Sequence, residues 1–435
     1  MGFVCWYALA EVSERGNRQF EERCASLGRR LLSATSGANS RDFADTARAL
    51  LAAEKIEDYT PVRSALDWLI LSEDIPRQAR LDSGGGDAFI TVFEKDDVFI
   101  DMHFWSNATT SVHNHPWPGA FLVLKGLSLH TTFAFAHTHA VTPHVNLGTL
   151  TPQGASIVKP GSACAIYAGS EFIHSLFHLD VPCVTLVAGR RSNTTEQHYT
   201  YARPGLAIQL NDKGEALRQW RCRLALALTG LQGGPYAYDL AFWQQLLDGE
   251  ERLSLAITLL VKLASFIRND SEWQHTCSAF EAAWEGDASS ALIACANDER
   301  LIRRLRAARL EVRKAGPRFL LACLMNIRDR AYTSRLVEEF LALRGETGTA
   351  EAAMGDWASE LSATSLVSAP LTPPAKLVLG GLLQGNDEQV LVRRVCAAMD
   401  HPPTPELEQN ILTLGAVFRT HPLWSLLLTD KRLEA

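Results

Sequence analysis

A series of short β-rich segments between residues 88 and 201 limits what this chain can fold into more than any other feature. The segments are rich in Val, Ile, Phe, Leu and Thr, and turn residues separate them. They cover residues 88–93, 98–105, 119–126, 127–135, 155–160, 163–169, 172–179 and 183–189. Short strands at this spacing are typical of a sandwich or a small barrel rather than a parallel sheet. The sequence therefore predicts an antiparallel barrel in this part of the chain.

Histidines on these segments predict a metal site inside the barrel. His113 and His115 are separated by one residue, so both imidazoles are expected to leave the same face of an extended chain and reach one ion. His174 is the predicted third ligand, because it lies on a later apolar segment where an antiparallel barrel folds back on itself. His178 follows His174 by an even number of residues, so both side chains are expected on the same face of the strand. For His178 and His103 the interpretation as partly buried core histidines is favoured, and a hydrogen-bonding role in the pocket is the alternative.

The predicted ligands limit the possible reactions but do not identify the metal. Three neutral imidazoles leave open positions on a divalent ion for an anionic substrate group and O2, which suits Fe(II). Zn(II) accepts the same ligands with a water in the fourth position, and Mn(II) and Ni(II) stay alternatives. A second pair, His137 and His139, has turn residues beside it and no third partner in the sequence nearby. We predict a loop there.

The histidines and the turns around them resemble those of a known family. The His113 and His115 pair, a short spacer, an apolar strand ending at Gly126, a Pro160-Gly161 turn and the distant His174 are similar to the cupin superfamily. The resemblance covers roughly 100 residues, in line with one domain of ordinary size. It implies a double-stranded β-helix with the metal inside.

One branch of that superfamily is more similar than the rest. The Glu ligand of the usual cupin pattern is replaced here by Gly119 or Ala120, which resembles the cysteine dioxygenase branch of thiol dioxygenases. That branch holds Fe(II) with three histidines and uses O2 as co-substrate. Trp105, followed by small residues before the histidine pair, also looks similar, and Phe121 is expected beside the pocket. The resemblance implies a small-molecule substrate, such as a thiol or an amino acid like cysteine or its derivatives.

The sequence departs from that branch at several positions. Ala120 stands where some members carry a cross-linked Cys, and no Tyr lies near Gly189. No arginine lies on the segment 88–94, where the branch binds the substrate carboxylate. Arg190 and Arg191, at the end of the last barrel segment, are the alternative candidates for that role, because guanidinium groups bind carboxylates in a bidentate way. The competing interpretation is that both arginines face solvent.

The segments on either side of the barrel are predicted to be helical, so the fold class is α+β. We divide the chain into an N-terminal helical segment (1–84), the barrel (85–204) and a C-terminal helical domain (205–435), with the first boundary at three consecutive glycines. Early helices are predicted over 43–51, capped by Asp42, and over 62–71, opening at Thr60-Pro61. Later helices are predicted over 215–228, 240–266, 271–284, 289–313, 318–343, 350–361, 375–383, 387–399 and 406–418.

Composition excludes several classes of protein. The formal net charge of -7 and the pI near 6.0 argue against a broad nucleic-acid-binding surface. No apolar run reaches the ~18 residues of a membrane span, and the N-terminus lacks the basic region of a signal peptide. The 9 cysteines occur singly, as expected of reduced thiols in a cytoplasmic protein. An arginine-rich helix over residues 300–314 is read as a solvated face, with an acidic partner, carrier protein or RNA as the alternative.

Three hypotheses about function follow from these features. The first is an Fe(II)- and O2-dependent oxygenase acting on a small molecule. The second is another metal-dependent cupin enzyme, such as an isomerase or a lyase, in which the metal acts as a Lewis acid. The third is a ligand-binding sensor without catalysis, whose helical half transmits ligand occupancy. The helical half is also a candidate surface for a protein partner or for self-association.

Overall fold

A computed structural model gives the positions of most of the chain. It describes residues 22–56, 68–70, 75–76, 78, 88–106, 109–191, 196–210, 214–231, 238–284, 288–364, 366 and 371–428. The chain divides into two compact units, one of residues 1–132 with 158–199 and one of residues 133–157 with 200–435. Among the described residues, no helix combines the length and apolar character that crossing a membrane requires.

Among the described residues, eleven strands form the β region in two sheets. The first contains β1 (Ala88–Lys95), β2 (Val98–Trp105), β4 (Gly119–Lys125), β7 (Ala163–Ile166) and β9 (Cys183–Arg190), in the order β1-β2-β9-β4-β7. The second contains β3 (Val112–His113), β5 (Ser128–Thr142), β6 (Val145–Val158), β8 (Ile173–His178), β10 (Tyr199–Ala202) and β11 (Leu206–Gln209). It closes in the order β10-β11-β6-β5-β8-β3. Two sheets with this non-sequential order confirm the predicted α+β fold with a double-stranded β-helix.

Each face of the five-stranded sheet has its own core. Along β4, Ala120, Leu122 and Leu124 belong to one apolar cluster, whereas Phe121 and Val123 belong to another. Successive side chains of a strand point to opposite faces, which explains this alternation. The first cluster covers the sheet with the N-terminal helices, and the second lies on the face that carries the histidine site described below. Burial of each large apolar side chain in these clusters contributes about 1.5–3 kcal/mol.

The N-terminal helices pack on this sheet instead of standing apart from it. Helix α1 covers residues 22–34 and helix α2 covers Ser40–Glu54. Their apolar side chains share one core with β1, β2, β4 and β9, with Leu31 and Phe43 as fully buried members. The predicted cap of α2 is wrong: the side chain of Asn39 accepts a hydrogen bond from the Asp42 backbone N–H, so the helix begins three residues before its first buried apolar residue.

Several sequence predictions in this part lie outside the described residues. Of the helix predicted over 62–71, only residues 68–70 are described, and they are helical. The three glycines at 84–86 also lie outside. The boundary predicted at residue 204 falls between β10 and β11, and the division into three domains stays a prediction. His137 and His139 are not in a loop: both are exposed on β5, which continues through them because it pairs with β6 in a hairpin.

The helices after residue 214 follow the predicted series with three changes: two predicted helices are each divided, and the short α14 (Ser425–Leu428) was not predicted. They are α3 (Glu215–Leu231), α4 (Leu240–Leu246), α5 (Glu250–Phe266), α6 (Asp270–Ala283), α7 (Ala288–Glu311), α8 (Ala315–Asn326), α9 (Arg330–Arg344), α10 (Ala350–Leu361), α11 (Pro373–Leu383), α12 (Glu388–Ala398), α13 (Pro405–Thr420) and α14 (Ser425–Leu428). The segment 240–266 forms two helices that separate at the polar break near Asp248. The helix predicted over 318–343 is also two, because Arg328 adopts a left-handed conformation (φ 58°) and Asp329 caps α9.

Several arginine side chains of helix α7 form ion pairs within their own unit or are buried there. Arg300 donates to Asp270, and Arg303 and Arg306 pair with Glu299 on the same helix. Arg309 is buried. These contacts account for much of the charge on this helix, whereas a partner for it stays a prediction. None of the eight described cysteines forms a disulfide.

Candidate metal centre

Three histidines converge because of the register between two strands of the second sheet. His113 on β3 lies directly opposite His174 on β8 in an antiparallel pair. His115 continues the extended chain and forms a parallel bridge with Ala168. Asn114, between the two histidines, points the other way: its Nδ2 donates to the Gln197 carbonyl and its Oδ1 accepts from the Tyr199 N–H. The predicted alternation is therefore observed, and the buried Asn114 holds both imidazoles on one side.

The nitrogen atoms of this cluster are close enough to share one ion. One ring nitrogen from each of His113, His115 and His174 lies within 4.8 Å of the other two. The Nε2 atoms of His115 and His174 are 3.0 Å apart. His113 Nδ1 lies 2.9 Å from the Ser111 carbonyl oxygen. If Nδ1 carries the proton and donates it to that carbonyl, the Nε2 lone pair of His113 is directed elsewhere, as a metal ligand requires.

Burial favours the neutral form of the His113 and His174 imidazoles. Desolvation holds the pKa of His174 well below its usual value, and its neighbours His113, His115 and His130 lower it further. Desolvation also lowers the pKa of His113, although the hydrogen bond to the Ser111 carbonyl opposes this shift. Only a neutral imidazole has a lone pair for a metal. The donor set therefore fits a divalent metal ion, with the three histidines as proposed ligands.

Position 119, where a carboxylate ligand was considered, belongs to a pair of glycines. Gly119 on β4 lies opposite Gly189 on β9. A Cβ at position 119 would lie 2.3 Å from the Ala188 carbonyl oxygen and 3.0 Å from the Trp117 ring. Trp117 lies over both glycines, with its ring centroid 4.5 Å from that of His115. The space that a side chain at position 119 would enter is thus occupied by backbone and indole.

No family model matches this sequence. No curated protein matches it either. Solved structures match over part of it. A crystal structure of DMSP lyases is 16% identical with a TM-score of 0.17, over 25% of this chain and 48% of that chain. Hydroquinone 1,2-dioxygenase from Sphingomonas sp. TTNP3 with 4-hydroxybenzoate bound is 10% identical with a TM-score of 0.20, over 26% and 71% of the chains.

A third solved structure is oxalate oxidase in complex with glycolate. It is 15% identical with a TM-score of 0.20, and the match covers 46% of this chain and 85% of that chain. The match therefore covers about half of the DMSP lyase chain (48%). It covers larger shares of the hydroquinone dioxygenase and oxalate oxidase chains. The fold itself rests on the strand order and register described above.

Aromatic rings surround the histidine cluster. The ring centroids of Phe172 and His174 are 4.6 Å apart, and those of Phe121 and His174 are 6.2 Å apart. Phe121 thus lies close to His174, and its contact with a substrate stays a prediction. Together with Trp117, these rings give the cluster a largely apolar environment.

Sequence reasoning missed two histidines near the cluster. His130 on β5 is buried, its Nε2 is 3.2 Å from His174 Nδ1, and desolvation lowers its pKa to about 4. The ring centroid of His198 lies 6.2 Å from that of His113. A histidine inside the apolar segment LSLHTTFAF was the only signal for His130. Nothing local marks His198, because its position depends on the contact of β10 with the Asn114 backbone.

Three of the other predicted residues form a separate stack. The Trp105 ring lies between the rings of His178 and His103, at centroid distances of 4.2 Å and 5.8 Å. Trp105 Nε1 donates to Thr185 Oγ1, and His178 Nδ1 lies 2.9 Å from Ser128 Oγ. His178 follows His174 by four positions on β8, which corresponds to about 13 Å along a strand. Among the described residues, this stack is not part of the metal-ligand group.

The two arginine candidates serve other contacts. Arg190 donates through Nη2 to the Thr35 carbonyl (2.7 Å) and through Nη1 to the Ala38 carbonyl (3.0 Å), and its guanidinium lies 4.4 Å from the Phe43 ring centroid. Arg191 pairs with Glu94 and lies over the Phe99 ring. Both side chains thus make contacts away from the metal-ligand group, and their role in binding a substrate carboxylate stays a prediction. β9 carries Arg190 to the helical layer on the outer face of the sheet.

Arg190 should matter for stability because its charge-assisted hydrogen bonds are partly buried. Replacement by alanine leaves the Thr35 and Ala38 carbonyls without this donor and removes the contact with Phe43. We expect Arg190→Ala to lower the free energy of unfolding by about 2–4 kcal/mol. Differential scanning calorimetry of the full chain would measure it. Arg191→Ala is the matched control, with an expected change of about 1 kcal/mol or less, since its partner is a single carboxylate near the surface. Equal effects of both variants would contradict this assignment.

Proposed function

We propose that this protein is a non-haem Fe(II)-dependent oxygenase that uses O2 on a small-molecule substrate. The observation that carries the proposal is the cluster of three histidines, a described metal-ligand group that contains no carboxylate. Three neutral ligands preserve the full charge of a divalent ion and leave several coordination positions open. This suits an anionic substrate donor and O2 binding side by side.

The chain's own residues have distinct roles in this proposal. His113, His115 and His174 would hold the ion through one nitrogen each. The Ser111 carbonyl and Asn114 orient the first two histidines, which removes the need to reorganise them when the ion binds. When bound, the ion supplies a place where substrate and O2 are activated together. The aromatic rings around the cluster would limit the access of water to it.

The same surroundings bear on the class of substrate. The rings near His115 and His174 belong to Trp117, Phe121 and Phe172. Both Arg190 and Arg191 make contacts elsewhere. Apolar and aromatic walls favour a substrate with an apolar body, and a single donor group such as a thiolate would then bind the ion. We therefore propose a small thiol or a related compound over a free amino acid. The absence of disulfides among described cysteines supports a reducing compartment such as the cytoplasm.

Metal analysis followed by O2 consumption tests the proposal. Protein purified without O2 is stripped, loaded with Fe(II) or Zn(II), and offered a panel of thiols, amino acids and uncharged aromatic compounds. We expect substrate-dependent O2 uptake only with Fe(II). Turnover with both metals and no O2 uptake would instead indicate the isomerase or lyase class, because a Lewis acid needs no redox change. Tight ligand binding without turnover would indicate a sensor.

A further inference from the structure

A fourth histidine extends the row of His113 and His174 across a third strand. In the second sheet, β5 is the neighbour of β8 on the side away from β3. His130 on β5 meets His174 with ring centroids 5.3 Å apart and planes at 80°. His113, His174 and His130 therefore lie side by side on three adjacent strands, and only the first two belong to the metal-ligand group.

The atoms that meet determine the direction of the hydrogen bond. His174 turns Nε2 toward His115, at 3.0 Å, and Nδ1 toward His130 Nε2, at 3.2 Å. A neutral imidazole carries one proton on either nitrogen. If the lone pair of His174 Nε2 binds the ion, the proton must be on Nδ1. His174 is then the donor, and His130 Nε2 is the acceptor.

The surroundings of His130 make this acceptor hard to replace. The rings of Phe121 and Phe172 lie 5.4 Å and 5.9 Å from the His130 ring, and the residue is 7% exposed. A buried N–H that loses its acceptor keeps a desolvation penalty. Without His130, His174 would avoid that penalty by carrying its proton on Nε2 instead of Nδ1. The lone pair of Nε2 would then no longer be available to the ion.

We propose that His130 is a positioning residue that fixes the metal-binding tautomer and the ring orientation of His174. The proposal rests on the metal site of the proposed function. It assigns to a neutral imidazole the role that a carboxylate or carbonyl often has beside a metal-bound histidine. Because this acceptor has no charge, it also adds none to the three-histidine site.

Zn(II) affinity of the full chain is the first test. Apo protein competes with a chromophoric chelator for Zn(II), for the wild type, His130→Leu and His130→Gln. We expect His130→Leu to raise the Kd about 10–100-fold, the usual cost of losing the hydrogen-bond partner of a metal-ligating histidine. His130→Gln places a carbonyl oxygen near the lost nitrogen and should restore the Kd to within about threefold. Leu129→Ala is the control: it destabilises β5 from the opposite face, and its Kd should not change.

A second measurement needs no variant. In Zn(II)-loaded wild-type protein labelled with 15N-histidine, the His174 proton should lie on Nδ1 and the His130 Nε2 signal should be that of an acceptor. A His174 proton on Nε2, or a His130→Leu Kd equal to that of the wild type, would overturn the positioning role while leaving the metal site intact. A wild type that binds no metal ion would overturn the proposed function and this inference together.

Discussion

Replacement of His113, His115 or His174 by alanine is expected to abolish tight metal binding while the helices after residue 214 stay folded. Loss of an outer partner of a metal ligand alone costs about 10–100-fold in affinity, so loss of a direct ligand should exceed about 100-fold. Each variant also removes a nitrogen from a group whose members lie within 4.8 Å of one another. Metal content by mass spectrometry and circular dichroism of the full chain are the measurements.

A histidine outside the cluster serves as the control for these variants. His137 is exposed on β5, and His137→Ala should keep about one ion per chain, as in the wild type. One ion per chain in all three cluster variants would refute the ligand assignment. If only one of them kept its metal, the site would hold the ion with a different third group, and the assignment of that histidine would be wrong.

Gly119→Glu is expected to disrupt the sheet instead of adding a carboxylate ligand. From sequence alone, Glu at this position predicts a fourth ligand that leaves the metal bound and lowers activity. In the structure, the new Cβ would lie 2.3 Å from the Ala188 carbonyl oxygen, which belongs to the paired strand β9 and cannot rotate away. We expect the free energy of unfolding to fall by about 3 kcal/mol or more, since overpacking against backbone is costly.

Two further glycine variants distinguish the steric clash of Gly119→Glu from the effect of its charge. Gly119→Ala adds only the Cβ, and we expect most of the loss in the free energy of unfolding to be present already. Gly380→Ala on helix α11 is the control, because a Cβ there meets nothing within 4 Å, and the substitution should be neutral or stabilise by about 0.5–1 kcal/mol. A Gly119→Glu protein that unfolds at the wild-type temperature would show that β4 and β9 can separate, and the fourth-ligand hypothesis would return.

Trp117 gives a physical reason for the absence of a carboxylate ligand. The indole packs edge-on against Phe99, with ring centroids 5.2 Å apart, and lies over the Gly119 and Gly189 pair. Two glycines in register allow this close approach of ring and backbone. The three-histidine site therefore follows from how the sheet is packed as well as from which residue stands at position 119. Filling this space with an aromatic ring also places an apolar wall beside His115.

Local sequence patterns were enough to locate the barrel, most of the later helices and the two histidines of the HNH segment. A period of two places His113 and His115 on one face whatever the rest of the chain does, because alternation is a property of an extended backbone. Helix ends were predicted where a capping residue or glycine marks them. The cap of α2 and the separation of α8 from α9 were missed, although Asn39 and Asp329 are both ordinary capping residues.

Tertiary structure alone decided which side chains meet. The register of β3 with β8 sets His113 opposite His174, and the order β3-β8-β5 brings His130 behind it. Strand pairing also decides that Arg190 contacts the N-terminal helical region, through the Thr35 carbonyl, and not the metal site. Strand register and sheet order depend on pairings between residues far apart in sequence and on which face is buried. A local pattern therefore identifies a metal-binding segment, but the partners of its histidines are fixed only when the sheets assemble.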